Sequence, residues 1–364
     1  MLDNFPFSNE LNQRFSTLIS NYMGLEIRSR DYGSLKEKIF SRMQGIGLIE
    51  PEDYYQLLAS KNQESYREWL ELAVLITNIE SYFFRDKGQF NLLKSYILPE
   101  IIERQQQHKT IRICSAGCSS GEEIYSLAIL LKELIPDLDT WNLMILGVDI
   151  NQTALQKAKT GIYSPWSFRN IAAKTQQQYF DLKNNHYHIN SKIKQMAKFE
   201  NLNLVQDSFP SSHSSLKEMD LILCRNVFIY FDKQAVAKVM DKIYHALRPL
   251  GYLLTGHAEL YGYNLNDFQT KVFQESLVYQ RLESDNLTKN TTQYLSNNDN
   301  YSFTNQFSEL ASKNYSQENY IKMQKVSLNL LKQLPPDTTI PKLGNLTVSQ
   351  LILQLEETLE VSED

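Results

Sequence analysis

A turn of small residues stands between a short apolar strand predicted at residues 111–114 and a predicted helix that begins with Glu122 and Glu123. The turn reads Ser115-Ala116-Gly117-Cys118-Ser119-Ser120-Gly121. Small residues let a backbone approach a ligand closely, and a helix N-terminus offers free N–H groups. The glycine spacing is not the Gly-x-Gly-x-x-Gly of a pyrophosphate cradle, and two carboxylates repel a diphosphate but attract an ammonium. The turn therefore predicts a ligand with an ammonium group, or else an ordinary strand–helix turn with acids in its first helical turn.

Two further strand ends carry polar side chains. Asp149 follows an apolar strand predicted at residues 143–148, where a carboxylate can accept both hydroxyls of a ribose; the alternative is an N-cap for the helix predicted at 153–159. Arg225 and Asn226 follow a third buried strand, and aromatic residues come next. Ligands of a doubly wound sheet bind beyond the carboxyl ends of its strands. Together the three segments favour a crevice that binds a nucleoside-containing ligand.

The pattern of elements around these segments predicts an α/β fold with three regions. Residues 1–75 have apolar positions at helical spacing, which predicts a small N-terminal all-α domain. Residues 76–283 alternate strands with helices, which predicts a mostly parallel sheet covered on both faces. Residues 160–200 interrupt this alternation and are expected to form a small inserted subdomain. Residues 284–364 are expected to be a polar linker, with a C-terminal helix over 348–359.

The composition of the 364 residues argues against several classes of protein. The net charge of −5 disfavours a dedicated nucleic-acid binder. No apolar run approaches the ~18 residues of a membrane helix, and the N-terminus lacks the pattern of a signal peptide. Three cysteines make no disulfide framework, and His186 and His188 lack a third metal ligand nearby. We therefore expect a cytoplasmic enzyme with no metal, no bound nucleic acid and no direct membrane insertion.

Further segments complete a set of motifs. Residues 80–85 read Glu-Ser-Tyr-Phe-Phe-Arg, and residues 256–259 read Gly-His-Ala-Glu. Residues 121–126 read Gly-Glu-Glu-x-Tyr-Ser, and residues 224–231 read Cys-Arg-Asn-Val-x-Ile-Tyr-Phe. In this order and spacing, the motifs resemble those of the CheR family over about residues 10–282. Members of that family are S-adenosylmethionine-dependent methyltransferases that esterify glutamates of chemoreceptors.

The resemblance implies S-adenosylmethionine (SAM) as the cofactor, S-adenosylhomocysteine (SAH) as the product, and a Rossmann-like methyltransferase domain. Glu122 or Glu123 would hold the methionine ammonium, and Asp149 would take the ribose hydroxyls. The full set of expected cofactor contacts is Asn78, Ser81, Arg85, Ala116, Gly117, Glu122, Glu123, Asp149, Asn203, Leu204, Arg225 and Asn226. Asn78 stands one place early relative to the family pattern and Ser81 replaces a threonine, which affects the expected contact of Asn78 more than the activity.

Methyl transfer to a glutamate requires positioning rather than a general base. The acceptor carboxylate is already ionised at neutral pH, so the protein must align it with the sulfonium methyl. Arg85 can orient the carboxylate through a charge-assisted contact, and Tyr230 can donate a hydrogen bond to it. Arg85 and Tyr230 are therefore the expected catalytic residues.

A cluster of cations in the N-terminal region is the candidate docking patch; its members are Arg28, Arg30, Lys36, Lys38 and Arg42. As a patch, it would bind the acidic, helical cytoplasmic region of a chemoreceptor, as the family resemblance implies. The alternative is a solvated helix face. The chain itself is expected to act as a monomer.

Three other functions stay open on the sequence alone. A methyltransferase of the same architecture could act on another carboxylate or on a small molecule. A non-catalytic scaffold could bind SAM as a signal, although Arg85 and Tyr230 argue against it. An NAD oxidoreductase is disfavoured because the glycine spacing is wrong for the dinucleotide.

Overall fold

The computed structural model describes residues 7–282 apart from seven positions (258, 261, 262, 264, 266, 274 and 275), together with 339–340, 346–347, 349 and 352–353. The chain falls into two compact units, Met1–Lys271 with Leu277–Glu283, and Val272–Ser276 with Ser284–Asp364. In the second unit, the strands Thr339–Ile340 and Leu346–Thr347 pair antiparallel. Apart from these strands and positions 349, 352 and 353, the predicted polar linker and C-terminal helix lie outside the described residues.

The N-terminal region is helical, as its apolar spacing predicts. The α-helices described there are α1 (Asn9–Met23), α2 (Tyr32–Ile46), α3 (Pro51–Ala59) and α4 (Gln63–Ile76). Ser8 and Asn62 cap α1 and α4, because their side chains accept hydrogen bonds from the N–H groups of Leu11 and Ser65. The apolar faces of these helices pack into a core of their own, separate from the core under the sheet.

A seven-stranded sheet forms the centre of the first unit. Its strands are β1 (Thr110–Ala116), β2 (Asn142–Asp149), β6 (Ala197–Asn201), β7 (Met219–Cys224), β8 (Leu247–Thr255), β9 (Phe268–Val272) and β10 (Leu277–Arg281). They lie in the order β6-β2-β1-β7-β8-β10-β9, with the first five parallel and β10 antiparallel to β8. This arrangement confirms the predicted α/β fold with a mostly parallel sheet.

The helices that accompany the sheet follow the predicted alternation. They are α5 (Lys87–Leu92), which continues through a π-helical turn into α6 (Leu98–Arg104), then α7 (Glu122–Leu134), α8 (Gln152–Thr160) and α11 (Lys233–Ala246). From β1 the chain builds the sheet toward β2 and β6, and then returns to place β7 on the other side of β1. This reversal of strand order beside β1 is where doubly wound sheets form a ligand crevice.

The predicted insertion is a small subdomain with a sheet of its own. Its strands β3 (Ile162–Tyr163), β4 (Phe180–Lys183) and β5 (His186–Ile189) pair antiparallel in the order β3-β5-β4. The helices α9 (Ala173–Tyr179) and α10 (Ser191–Met196) belong to the same segment. Residues 197–200, which the sequence assigned to the insertion, are part of β6 instead, because they pair with β2 in the central sheet.

Helices of membrane-spanning length and apolarity do not occur among the residues that the structure describes.

Candidate active site

A crevice opens at the carboxyl ends of β1, β2 and β7, the place that the strand order predicts. The expected residues that line it are Asn78, Ser81, Arg85, Gly117, Glu123, Asp149, Asn203, Leu204, Arg225, Asn226 and Tyr230. Two expected cofactor residues, Ala116 and Glu122, are not part of this lining. The pocket thus joins three strand ends to the segment that connects the helical region with the sheet.

The small-residue turn after β1 crosses over the end of β2. The N–H groups of Gly117 and Cys118 donate to the carbonyl of Val148 at 2.8 and 3.0 Å. Gly117 has a φ of +78°, and a Cβ at this position would lie 2.4 Å from a methyl carbon of Val227. Because only glycine accommodates both the dihedral angle and the close approach, the turn presents bare backbone to the pocket at this point.

Asp149 sits at the end of β2 with both carboxylate oxygens directed by backbone groups. The N–H of Ser119 donates to one oxygen at 2.8 Å, and the N–H of Asn151 donates to the other at 2.8 Å. Asn151, not Asp149, is the N-cap of α8, since its side chain accepts from the N–H of Ala154 at 2.9 Å. The alternative of a simple cap is therefore wrong. Each carboxylate oxygen retains a lone pair for a hydroxyl donor, and burial raises the pKa of Asp149.

The two glutamates that begin α7 point in different directions. Glu122 is fully buried, and its carboxylate accepts from the hydroxyls of Ser120 at 2.7 Å and Ser167 at 3.0 Å. Glu123 faces the pocket, where it accepts from the Ser115 hydroxyl at 2.7 Å and pairs with Arg225 at 2.7 Å. Glu123 is therefore the carboxylate available to an ammonium in the pocket, and Glu122 ties α7 to the inserted subdomain.

Arg225 forms the floor of the pocket, with only 2% of its side chain exposed. Its guanidinium donates to Glu123 at 2.7 Å, to the Gln89 side chain at 2.5 Å and to the Arg85 carbonyl at 2.7 Å. The next residue, Asn226, has a φ of +58°, and its N–H donates to the Glu259 carboxylate at 3.0 Å. Arg225 thus fixes the position of the segment that carries Arg85.

The open side of the pocket carries the two expected catalytic side chains. Tyr230 is 41% exposed, and its hydroxyl accepts from the side-chain amide of Asn78 at 3.1 Å. Arg85 is half-buried, donates to the Glu80 carbonyl at 3.2 Å and lies with its guanidinium carbon 5.7 Å from the centre of the Tyr82 ring. Asn78 therefore reaches the site despite its shifted position in the sequence.

The N-terminal helices contribute a wall that the sequence did not reveal. Met23 and Leu25 line the pocket, and the side-chain amide of Asn203 donates to the Tyr22 carbonyl at 2.8 Å. Residues 24–26 pair antiparallel with residues 230–232, through hydrogen bonds of 2.8 and 2.9 Å. This pairing holds the Tyr230 backbone against the helical region. Apolar residues at the end of an amphipathic helix are indistinguishable from core residues in a sequence, so no signal marked Met23 or Leu25.

The inserted subdomain supports the same segment from the other side. The N–H of Phe83 donates to the Ser167 carbonyl at 3.0 Å, and the Phe83 ring packs against those of Tyr163, Phe168 and Phe180. These contacts fix the backbone two residues before Arg85.

The candidate docking cations have different surroundings. Arg28 and Arg30 are exposed, and Lys36 and Lys38 are partly exposed. Arg42 instead makes a bidentate pair with the buried carboxylate of Glu68, at 2.7 and 2.8 Å. The expectation that Arg42 belongs to a free patch is corrected, because its charge is used inside the helical domain.

The remaining reactive side chains of the described residues do not form a second centre. Burial raises the pKa of Cys114, Cys118 and Cys224, which keeps these thiols protonated at neutral pH. No three histidine, cysteine or carboxylate side chains come together as a metal site within the described ranges.

The lining of the pocket fits SAM in its chemistry. Asp149 offers acceptors for ribose hydroxyls, and Glu123 offers an acceptor for an ammonium. Leu25, Ile150 and Leu204 offer apolar surface for a base. These groups lie along one continuous pocket at the strand ends.

Comparison with known proteins agrees with this chemistry. The family model described as CheR methyltransferase, SAM binding domain, matches residues 79–278. A chemotaxis protein methyltransferase of Borreliella burgdorferi is 31% identical over 257 residues, which cover 70% of this chain and 89% of that protein. Chemotaxis protein methyltransferase 2 of Vibrio cholerae is 32% identical over 267 residues, which cover 70% of this chain and 91% of that protein.

Proposed function

The chain belongs to the CheR methyltransferase family and is a SAM-dependent methyltransferase, and on this premise we propose that it methylates glutamate side chains in the cytoplasmic helical region of chemoreceptors. The products are glutamate methyl esters and SAH. We further propose that the enzyme works as a monomer in the cytoplasm, with residues 1–75 as the receptor-docking domain.

The observation that carries the proposal is the difference between the two arginines of the site. Arg225 is buried and its guanidinium is used by Glu123, Gln89 and the Arg85 carbonyl. Arg85 is half-buried at the open side, and its guanidinium donates to a backbone carbonyl, that of Glu80. Because a guanidinium has five N–H donors, Arg85 can still bind an incoming carboxylate bidentately.

The chemistry then needs only alignment. Bound SAM supplies an electrophilic methyl group on a sulfonium. Arg85 and the Tyr230 hydroxyl would hold the acceptor carboxylate so that one oxygen attacks that methyl in line, and the electron pair of the broken carbon–sulfur bond stays on sulfur. No proton moves, because the glutamate is ionised at neutral pH.

The other residues of the pocket would hold the cofactor. Asp149 would accept the ribose hydroxyls and Glu123 the methionine ammonium, while Asn203 and Leu204 would flank the adenine. Arg225 would keep Glu123 and the Arg85 backbone in place. Arg28, Arg30, Lys36 and Lys38 are the cations left for docking an acidic receptor helix.

Incubation with methyl-labelled SAM and receptor cytoplasmic fragments tests the proposal. We expect base-labile methyl esters on receptor glutamates, mapped by mass spectrometry. Arg85→Ala should lower the turnover strongly while the protein still binds SAH, and Arg67→Ala, an exposed arginine on α4, should behave as the wild type. Label that appears only on small molecules, or only on residues other than glutamate, would contradict the proposal.

A further inference from the structure

Lys242 lies outside the lining of the pocket, and its ammonium group is directed at the turn over residues 203–207, which forms one wall of the pocket. Lys242 lies on α11, and its ammonium donates to the carbonyls of Leu204 at 3.0 Å, Val205 at 2.9 Å and Asp207 at 2.8 Å. Three acceptors match the three donors of an ammonium. The ring of Phe209 covers the same group, with its centre 5.1 Å from Nζ. Every donor of Lys242 is therefore used on this turn.

The turn at residues 203–207 has its own internal hydrogen bonds. The Asn203 side-chain oxygen accepts from the N–H groups of Val205 at 2.9 Å and Gln206 at 3.1 Å. The Asp207 carboxylate accepts from the N–H of Asn203 at 2.8 Å. With the amides directed inward, the carbonyls of three residues converge on one point, and converging carbonyl dipoles repel one another unless a cation lies between them. Lys242 supplies that cation.

We propose that Lys242 is a positioning residue for the cofactor: its charge holds the converging carbonyls together and so keeps Asn203 and Leu204 in the shape that binds the cofactor. Both residues line the pocket, whereas Lys242 does not. Lys242 thus acts on the ligand through the turn and without touching it.

The charge of Lys242 is poised to change in a useful pH range. Desolvation, and then the nearby Lys238, lower the pKa of Lys242 to about 8, while Asp207 opposes the shift. Tyr22 is another titratable group near Asp207, and burial raises its pKa to about 12, so it stays neutral in this range. Cys118 in the pocket also stays protonated, because burial raises its pKa. Lys242 therefore carries its charge below about pH 8 and loses it, together with one of its three N–H donors, as the pH rises through this value.

The experiment measures SAH affinity by calorimetry from pH 6.5 to 9.5, in the wild type and three variants. We expect the wild-type affinity to fall about tenfold across this range, the size of a lost set of charged hydrogen bonds. Lys242→Arg keeps its charge, so it should not show this pH-dependent step in SAH affinity. Lys242→Met should bind SAH weakly at every pH. Lys238→Met, an exposed control one turn earlier on α11, should keep the step but move it to higher pH, because it removes a charge that lowers the pKa of Lys242. The amino group of SAH also titrates in this range, and it does so equally with all four proteins. The effect of Lys242 is therefore measured as the difference in SAH affinity between the wild type and Lys242→Arg at each pH.

A second measurement needs no ligand. Hydrogen exchange at the amides of Val205 and Gln206, at neutral pH, should be faster in Lys242→Met than in Lys238→Met. A merely structural lysine would change the free energy of unfolding without a pH step in affinity. Wild-type affinity parallel to that of Lys242→Arg up to pH 9.5 would overturn the proposal, and this comparison stands even if Lys242→Met does not fold. Since the readout is binding of SAH, the result does not depend on the identity of the methyl acceptor.

Discussion

The proposed cofactor side of the pocket is built from backbone groups and buried side chains, whereas the proposed acceptor side is built from long side chains that are partly exposed. On the first side, two backbone amides fix Asp149, and Arg225 is 2% exposed with three acceptors. On the second side, Tyr230 is 41% exposed and Arg85 is half-buried. The difference in exposure corresponds to the difference in size between the two substrates, a small cofactor and a protein. A small cofactor fits a preformed site, while a protein substrate must reach the proposed catalytic side chains from solvent.

Four residues in or near the pocket have an uncommon backbone conformation. Phe84, Asp86, Ser119 and Asn226 are non-glycine residues with φ between +50° and +67°. Such conformations cost of order 1–3 kcal/mol each and persist only where surrounding contacts impose them. All four belong to segments that form the pocket or lead into it. Six other described non-glycine residues with positive φ lie outside the pocket lining, so such conformations are not confined to the site.

The largest expected effect separates the two arginines. Arg225→Ala leaves the Glu123 carboxylate without its cation in a poorly solvated site, and breaking such a pair costs about 3–5 kcal/mol of unfolding free energy. Arg85→Ala removes a half-exposed side chain with one backbone acceptor and should cost less than about 1 kcal/mol. Urea denaturation of both variants without ligand checks this. Equal losses of unfolding free energy in Arg225→Ala and Arg85→Ala would contradict the proposed difference between the two sides of the pocket.

The second effect concerns the affinity for SAH. Asp149→Ala should weaken binding by about 1.5–3 kcal/mol, the usual loss for a charged hydrogen-bond partner, while Asp139→Ala, an exposed carboxylate before β2, should not. Calorimetry at neutral pH measures the difference. Unchanged affinity in Asp149→Ala would show that the ribose lies elsewhere.

The raised pKa of Asp149 predicts that the affinity for SAH depends on pH. Burial raises the pKa of Asp149, so its ionised form, which we propose binds the ribose, is present above that raised pKa and is lost as the pH falls through it. SAH affinity of the wild type should therefore start to fall at a higher pH than an ordinary aspartate would give. Asp149→Asn should be weak but flat over this interval, and a wild-type curve parallel to it would argue against the role of Asp149.

The sequence revealed the parts of this site whose chemistry is visible in residue type. Asp149 and Arg225 are polar residues at the ends of buried strands, and parallel strand ends meet at one edge. Glu122 and Glu123 could not be told apart, because successive residues of a helix point about 100° apart, and which one faces the crevice depends on how α7 packs. Arg42 was assigned to the wrong role for a similar reason, since its partner Glu68 is 26 residues away on α4.

A comparable effect is expected on the acceptor side. Tyr230→Phe removes one hydrogen bond to the ionised acceptor carboxylate, worth about 1.5–3 kcal/mol, so the turnover on a receptor substrate should fall by roughly ten- to a hundredfold. The affinity for SAH should not change, because the hydroxyl is directed to the open side. Tyr66→Phe, a 53% exposed tyrosine on α4, is the matched control. A loss of SAH affinity in Tyr230→Phe would instead place this hydroxyl on the cofactor side.

The smallest effect concerns receptor docking, which lies outside both sides of the pocket. Single exposed ion pairs contribute about 0.2–1 kcal/mol, so Lys38→Glu should lower the methylation rate at sub-saturating receptor by no more than about fivefold at low salt. Arg42 is left unchanged in this test, because reversing it would break the pair with Glu68. Lys132→Glu is the control: it makes the same charge change on an exposed residue of α7, about 15 Å along the helix from Glu122.

Charges are screened beyond about 8 Å at physiological salt, so added salt should slow the wild type toward the rate of Lys38→Glu. If Lys38→Glu and Lys132→Glu gave the same rate at every salt concentration, the cations of α2 would be an ordinary solvated helix face, and docking would have to run through the exposed acceptor side itself.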